Sequence, residues 1–377
     1  MITSAPATSL HAQTPRAPTV IESVTPQWTA ATALKVDPKP TLTLGVNEPL
    51  FATVAGAHRY VDGRIVVADS KAKELLMFGA DGKFVRTIAR SGSGPGEFQA
   101  FDQLISAGGD TLAVWDWRTR HLTYFGESGQ VLRTGALTPL AASNGQVSPG
   151  VPTPIGRFVD GSLLAERPRS DKRKEITNMA EDFVTYYVLA GGSAKSIGDF
   201  YSKQWWTFYH ANGNSSFGPG PFSRLGSIAT GPSSFFVSDA LRFDVTEYDR
   251  NGAVIRILRI RRAPIPATYD LITQYKRDFK ETDEKQDAEV IKWMPFPKTL
   301  PTFKQLIRDN DGRIWASQYN VNPSSSRYDV FDAGGRWLGA ITFPSNSTLL
   351  EAGKDWVLLR VVLEGGESLV QLHRLAQ

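Results

Sequence analysis

Apolar and polar residues alternate along this chain in short runs set off by turn residues. Asp62-Gly63-Arg64-Ile65-Val66-Val67-Ala68-Asp69 opens on a turn dipeptide, continues as a strand and closes on Asp. The pattern recurs as Gly109-Asp110-Thr111-Leu112-Ala113-Val114-Trp115-Asp116 and as Pro232-Ser233-Ser234-Phe235-Phe236-Val237-Ser238-Asp239. Looser copies begin at Asp160, Asp311 and Lys354, which makes six. A second turn follows in each unit, at Asp81-Gly82, Ser128-Gly129, Gly191-Gly192, Asn251-Gly252, Gly334-Gly335 and Gly365-Gly366. Turn dipeptides between period-two segments are hairpin signals. Each unit therefore predicts strand, tight turn, strand, variable connection, strand, tight turn, strand.

A single sheet of this kind leaves both faces bare. Six arranged radially cover one another, so the repeat predicts an all-β, six-bladed β-propeller. The last unit has three strands, near Leu349-Leu350, Trp356 to Leu363 and Ser368 to Leu375, while Thr41-Leu42-Thr43-Leu44 at the start has no unit of its own. The N-terminal strand is expected to complete the C-terminal blade. The propeller is assigned to residues 36–377. Residues 1–35, rich in Pro, Thr and Ala and without periodicity, read as a disordered lead-in. At about 265–295 the period changes: Leu271, Ile272, Tyr275 and Phe279 share one helical face, which predicts a helical insertion on the top face.

These residues also carry a family resemblance. Val66-Val67-Ala68-Asp69, Leu76-Met77-Phe78, Asp81-Gly82-Lys83-Phe84 and Gly92-Ser93-Gly94-Pro95-Gly96-Glu97-Phe98 resemble an NHL repeat. Asp311-Gly312-Arg313-Ile314-Trp315, Tyr328-Asp329-Val330-Phe331-Asp332 and Gly335-Arg336-Trp337-Leu338-Gly339 resemble the closing blades of bacterial six-bladed propeller proteins, many of them exported. The resemblance is sharp over about 60–135, fair over 226–262 and 304–375, and poor over 140–225. It implies a bacterial propeller of exported type.

Composition narrows the chemistry. Zero cysteines among 377 residues remove disulfides, thiolate metal sites and cysteine nucleophiles, and five scattered histidines leave little for a zinc site. A net charge of +4 is a weak field for nucleic acid, so RNA is not the expected partner. No apolar run reaches the length of a membrane span. Ala7-Thr8-Ser9-Leu10-His11-Ala12-Gln13 is similar to the tail of a secretory signal, without the basic and apolar regions before it. A periplasmic or secreted location follows if the true start lies upstream, and a cytoplasmic one if this N-terminus is genuine.

Consecutive strands of a meander alternate direction, so both tight turns of a blade point to one side and the variable connections to the other. The long insertions, 139–155, 167–180, 199–224, 262–303 and 318–327, all belong to the second side. Insertions gathered on one face of a repeat array mark a binding surface. Between Phe200 and Phe222, eight of 23 residues are aromatic, including Trp205, Trp206 and Tyr209, with His210 among them. They predict either a stacking platform or packing of the insertion onto blades three and four. Trp117 and Arg118 follow Asp116 at the end of what reads as an inner strand. Arg242 occupies the equivalent position after Asp239 in the fourth unit, with Tyr319 close to it in the fifth. These side chains are expected to overlook the channel, the arginines either pairing with an anion or bracing blades. Asp69, Asp116 and Asp239 are expected to accept backbone hydrogen bonds in local turns. Arg256, Arg259, Arg261 and Arg262 read as protective charge on an exposed outer strand.

The expected function is therefore a non-catalytic, monomeric binding propeller that presents its loop-rich face to a small molecule, glycan, peptide or protein. No catalytic residue, metal or cofactor is assigned. The alternatives are a metal-dependent hydrolase or lyase of the lactonase kind, for which the converging acidic set is not found, and an RNA-binding propeller of the NHL type.

Overall fold

Strands Ile65–Asp69, Leu112–Asp116 and Ser234–Ser238 are buried along their whole length. A strand inside a sheet that is itself sandwiched between two others has no solvent face, which is why these runs are so apolar. In the computed structural model, the described residues are 17–377 apart from 48, 95, 109, 141–149, 177–178, 210–214, 280–289, 293 and 320–325; the side chains of 170–176, 208, 209 and 216 are not described either.

Six sheets, antiparallel but for an added parallel edge strand in two of them, form the six blades. Innermost strand first, blade one is Val54–Arg59, Ile65–Asp69, Glu74–Phe78 and Phe84–Ser91; blade two is Leu104–Ser106, Leu112–Asp116, His121–Phe125 and Val131–Ala136. Blade three is Thr153–Arg157, Leu163–Ile176, Met179–Ala190 and Ser193–Tyr209, with Ser215–Gly218 outermost. Blade four is Ser227–Thr230, Ser234–Ser238, Asp244–Asp249 and Val254–Ile260; blade five is Phe303–Arg308, Ile314–Gln318, Ser326–Phe331 and Trp337–Phe343. Blade six is Ser347–Ala352, Trp356–Val362 and Ser368–Ala376, completed by Leu42–Leu44 and Lys35–Val36. Each inner strand touches the inner strand of the next blade, and blade six touches blade one, so the ring is closed. An apolar cluster fills every one of the six blade interfaces. The all-β propeller, its closing N-terminal strand and the helical insertion are thus as expected.

Several details differ from the sequence reading. Residues 17–35 are not an unstructured lead-in. Thr19–Ser23 adds to blade four as a fifth, parallel strand, and Gln27 and Trp28 donate backbone N–H to Trp337 and Leu338 of blade five. The segment is a belt over the outer edges of blades four to six, and low periodicity is what a strand covered on one edge only requires. The strand that ends in Asp is second from the axis, not the one lining it; both tight turns of a blade look alike in sequence, so they do not give the phase of the repeat. Gly365-Gly366 joins the second and third strands of blade six and so lies on the insertion side. In blade three, much of 167–180 and 199–224 is not loop: the strands run on past the disc as a β-ribbon. The basic run is not a bare edge either. Arg259 forms a fork with Asp244 (2.9 and 2.7 Å), Arg256 bonds Glu247, Arg261 pairs with Glu22 of the belt, and Arg262 grips the fully buried Asp329 at 2.9 Å with both arms.

Candidate functional site

Every connection from an outer strand to the next blade, and every connection between second and third strands, leaves the same side of the disc. The strand ends from which all five long insertions depart lie there. The helix is Tyr269–Asp278, with Thr268 as its N-cap accepting the Leu271 N–H. It has no fully buried residue, and it is held by a cluster in which Tyr275, Phe279, Ile291 and Phe296 meet Trp206, Val290 and Met294. Phe222 is the hub beneath it, with ring centroids 5.4 Å from Tyr275, 5.8 Å from Phe296 and 6.4 Å from Tyr319. Phe222 sits at φ +53°, a left-handed conformation that a bulky residue adopts only under constraint from its surroundings.

The candidate residues divide accordingly. Trp206 is 1% exposed and belongs to the packing under the helix. Tyr319 joins the same cap, with Lys304 Nζ 4.9 Å from its ring; burial pushes its hydroxyl up to about 12 and pushes the Lys304 ammonium down. Trp205 lies on the ribbon's accessible side, 6.0 Å from the ring of Phe217 and 4.2 Å from Lys203 Nζ. Phe217, which the sequence reading noted only within the aromatic run, is 71% exposed. Trp117 is 50% exposed, and the Arg118 guanidinium stands 5.7 Å from its ring. Because Asp116 ends a second strand, this pair sits on the upper rim of blade two and not over the channel. The ladders place Leu241, not Arg242, opposite Arg118 in the repeat, and Tyr319 opposite Trp117; Arg242 is exposed one step further on. The Tyr209 side chain and His210 lie outside the described residues. Glu166, at the root of the ribbon, is pushed up by burial, with Lys203 opposing and Asp102 adding to the shift.

The turn-side end of the channel holds a cavity of about 400 Å³ that the sequence reading did not find. The turn bonds Tyr60 N–H to Arg64, Ala107 to Thr111, Phe158 to Ser162, Gly231 to Ser234, Asp309 to Arg313 and Gly353 to Trp356 align the six inner strands. Their last residues are Arg59, Ser106, Arg157, Thr230, Arg308 and Ala352; the residues before these are His58, Ile105, Gly156, Ala229, Ile307 and Glu351. All but Arg59 line the cavity. His58 Nδ1 lies 2.8 Å from Glu351 Oε1, and the Arg59 backbone N–H donates to Glu351 Oε2 at 2.7 Å. The signal that could have pointed here is the alternation of Arg with small residues just before the first turn of successive units.

Among the described residues no group of three or more His, Asp or Glu is placed to hold a metal ion. Asp309, which opens the turn Asp309-Asn310-Asp311-Gly312, accepts from Arg313 Nε (2.6 Å), the Arg313 backbone (2.8 Å) and Trp315 Nε1 (2.8 Å), so its carboxylate is taken up within the turn.

Residues 55–148 match the DUF5128 family model, described as a 6-bladed beta-propeller. No protein of curated function matches the chain in sequence. Among solved structures the chain is similar to a Bacteroides fragilis protein described as exported, at TM-score 0.50 and 11% identity over 96% of this chain and 100% of the other. A member of the duf4221 family from Bacteroides vulgatus aligns at TM-score 0.44 and 9% identity, over 91% and 99%. Virginiamycin B lyase from Staphylococcus aureus aligns at 0.41 and 10%, over 92% and 100%. At such identities the likeness is one of fold. No helix is long and apolar enough to cross a membrane.

Proposed function

We propose that the protein is a non-catalytic recognition propeller whose insertion-bearing face binds a glycan, peptide, small molecule or partner protein. One observation carries the reading: that face presents accessible aromatic rings beside cations, Trp117 with Arg118 and the Trp205–Phe217 pair with Lys203. Aromatic side chains bury much area at low entropic cost, and a neighbouring cation adds directional pairing to acidic groups. Contiguous apolar surface rimmed by polar groups marks interaction sites on soluble proteins. Export belongs to the same proposal, supported by the signal-like residues 7–13 and by the description of the B. fragilis protein.

Glycan and peptide arrays probed with the wild-type protein and with a Trp117→Ala/Phe217→Ala double variant test it. Arrayed ligands of the wild type should weaken about tenfold or more in the variant, the usual cost of removing an aromatic anchor. Undiminished binding by the variant contradicts the reading, as does calcium-dependent cleavage of an arrayed glycan or peptide.

A further inference from the structure

The channel cavity faces away from the insertions, and its lining does not follow the repeat. A residue that the repeat itself requires recurs from blade to blade, as Asp69 and Asp116 do. In the inner ring of the cavity, by contrast, His58 and Glu351 are titratable and the other four positions are Ile105, Ile307, Ala229 and Gly156. In the ring nearer the mouth, arginine alternates with small residues. Arg59 turns out of the cavity and lies 5.0 Å from the ring of Trp356. Arg157 and Arg308 remain on the wall, each giving one donor to a main-chain oxygen, of Ala107 and Asp309 respectively. Arg157 Nε and His58 Nε2 are buried with no hydrogen-bond partner among the described residues. The carboxylates on the wall are already taken, Asp309 by Arg313 and Trp315, Glu351 by His58 and the Arg59 N–H.

We propose that this cavity is a binding site for a small organic oxyanion, a carboxylate or a phosphate ester. Its charged head meets Arg157, Arg308 and the hydroxyls of Ser106 and Thr230, and its apolar body lies against Ile105 and Ile307. Two guanidinium forks without a free carboxylate on the wall select a planar or tetrahedral anion. Each of the two guanidiniums gives a single donor to a main-chain oxygen, which leaves further N–H groups to meet a bound anion. The volume falls within the range of small-molecule sites, toward its lower end.

Thermal unfolding and calorimetry of the intact chain with four probes test this. Hexanoate and phenyl phosphate carry the two heads, hexanamide the body without charge, and inorganic phosphate the charge without the body. At least one organic anion is expected to raise the melting temperature saturably at about 10 mM, roughly ten times a weak millimolar Kd, and more than hexanamide or inorganic phosphate does. Which of the two binds identifies the head. Arg157→Gln and Arg308→Gln should each weaken binding about tenfold, and Ser106→Ala, at an exposed position that does not endanger folding, about threefold. The proposal is overturned if neither anion shifts the melting temperature, if hexanamide shifts it as much as hexanoate, or if Ser106→Ala and those arginine variants that fold bind like the wild type. Trp117→Ala/Phe217→Ala should leave these results unchanged, which separates this site from the opposite face.

Discussion

Asp69 is fully buried and accepts four backbone N–H groups, from Ala52 (2.6 Å), Thr53 (3.0 Å), Lys71 (3.1 Å) and Ala72 (3.1 Å). It ties the end of a second strand to the segment entering the first, and Asp116 does the same through Gln99, Arg118 and Thr119. Asp69→Ala strands those donors and should cost about 2–4 kcal/mol in urea unfolding, whereas Asp69→Asn, which keeps one acceptor oxygen, should cost less. An alanine variant as stable as the wild type would show the four bonds to be idle. This role was legible in sequence because an Asx turn is local: the carboxylate meets N–H groups two and three residues on. Asp239 is a weaker copy of the same pattern and receives the Leu241 N–H. His58 and Glu351 were not legible. They come from the first and last blades, and only ring closure brings them together. Glu351→Ala leaves His58 and the Arg59 N–H without their acceptor and should lower stability by about 2 kcal/mol or more.

At the level of elements, blade three departs most from the repeat, and it is where the sequence was hardest to read. Its ribbon lengthens three strands at once, so the turn signals that mark the other blades fall at unusual intervals. The helix was legible because Leu271, Ile272, Tyr275 and Phe279 have helical spacing; its partner, the Phe222 hub, was not, since an insertion's packing has no period. Tyr275→Ala should speed amide exchange in Tyr269–Asp278 while the blades keep their protection, because the helix buries no residue fully and depends on that cluster. Blades three and four are also latched on the turn side. Asp160 accepts from the hydroxyl and N–H of Ser162 and pairs with Arg250, and these bonds pull its carboxyl from 3.8 down to about 2. With the folded value below the unfolded one, the latch contributes fully above about pH 4 and is lost as pH falls through about 2. The melting temperature should therefore fall less steeply with acid in Asp160→Asn than in the wild type, and parallel acid profiles would dismiss the latch.

For the whole molecule, the N-terminal belt and closing strand bind residues 19–44 to blades four, five and six, so N-terminal and C-terminal strands share one blade. Gly339, at φ +153°, lets Trp28 approach so closely that a Cβ there would lie 2.8 Å from its ring. Removing residues 1–44 should therefore open the edge of blade six and lower the melting temperature by far more than any single substitution above, with loss of protection strongest in that blade. The six-bladed closure was legible from the three-stranded last unit; the belt was not, because it lacks periodicity. The asymmetry of the disc, insertions on one side and uniform turns on the other, is what the functional reading rests on. Hydrogen exchange with and without the glycan or peptide that the arrays yield tests it most directly. Protection should gather at residues 117–119, 203–209, 215–218 and 241–242. Protection confined to the tight turns, at 79–83, 126–130 and 250–253, would contradict the account.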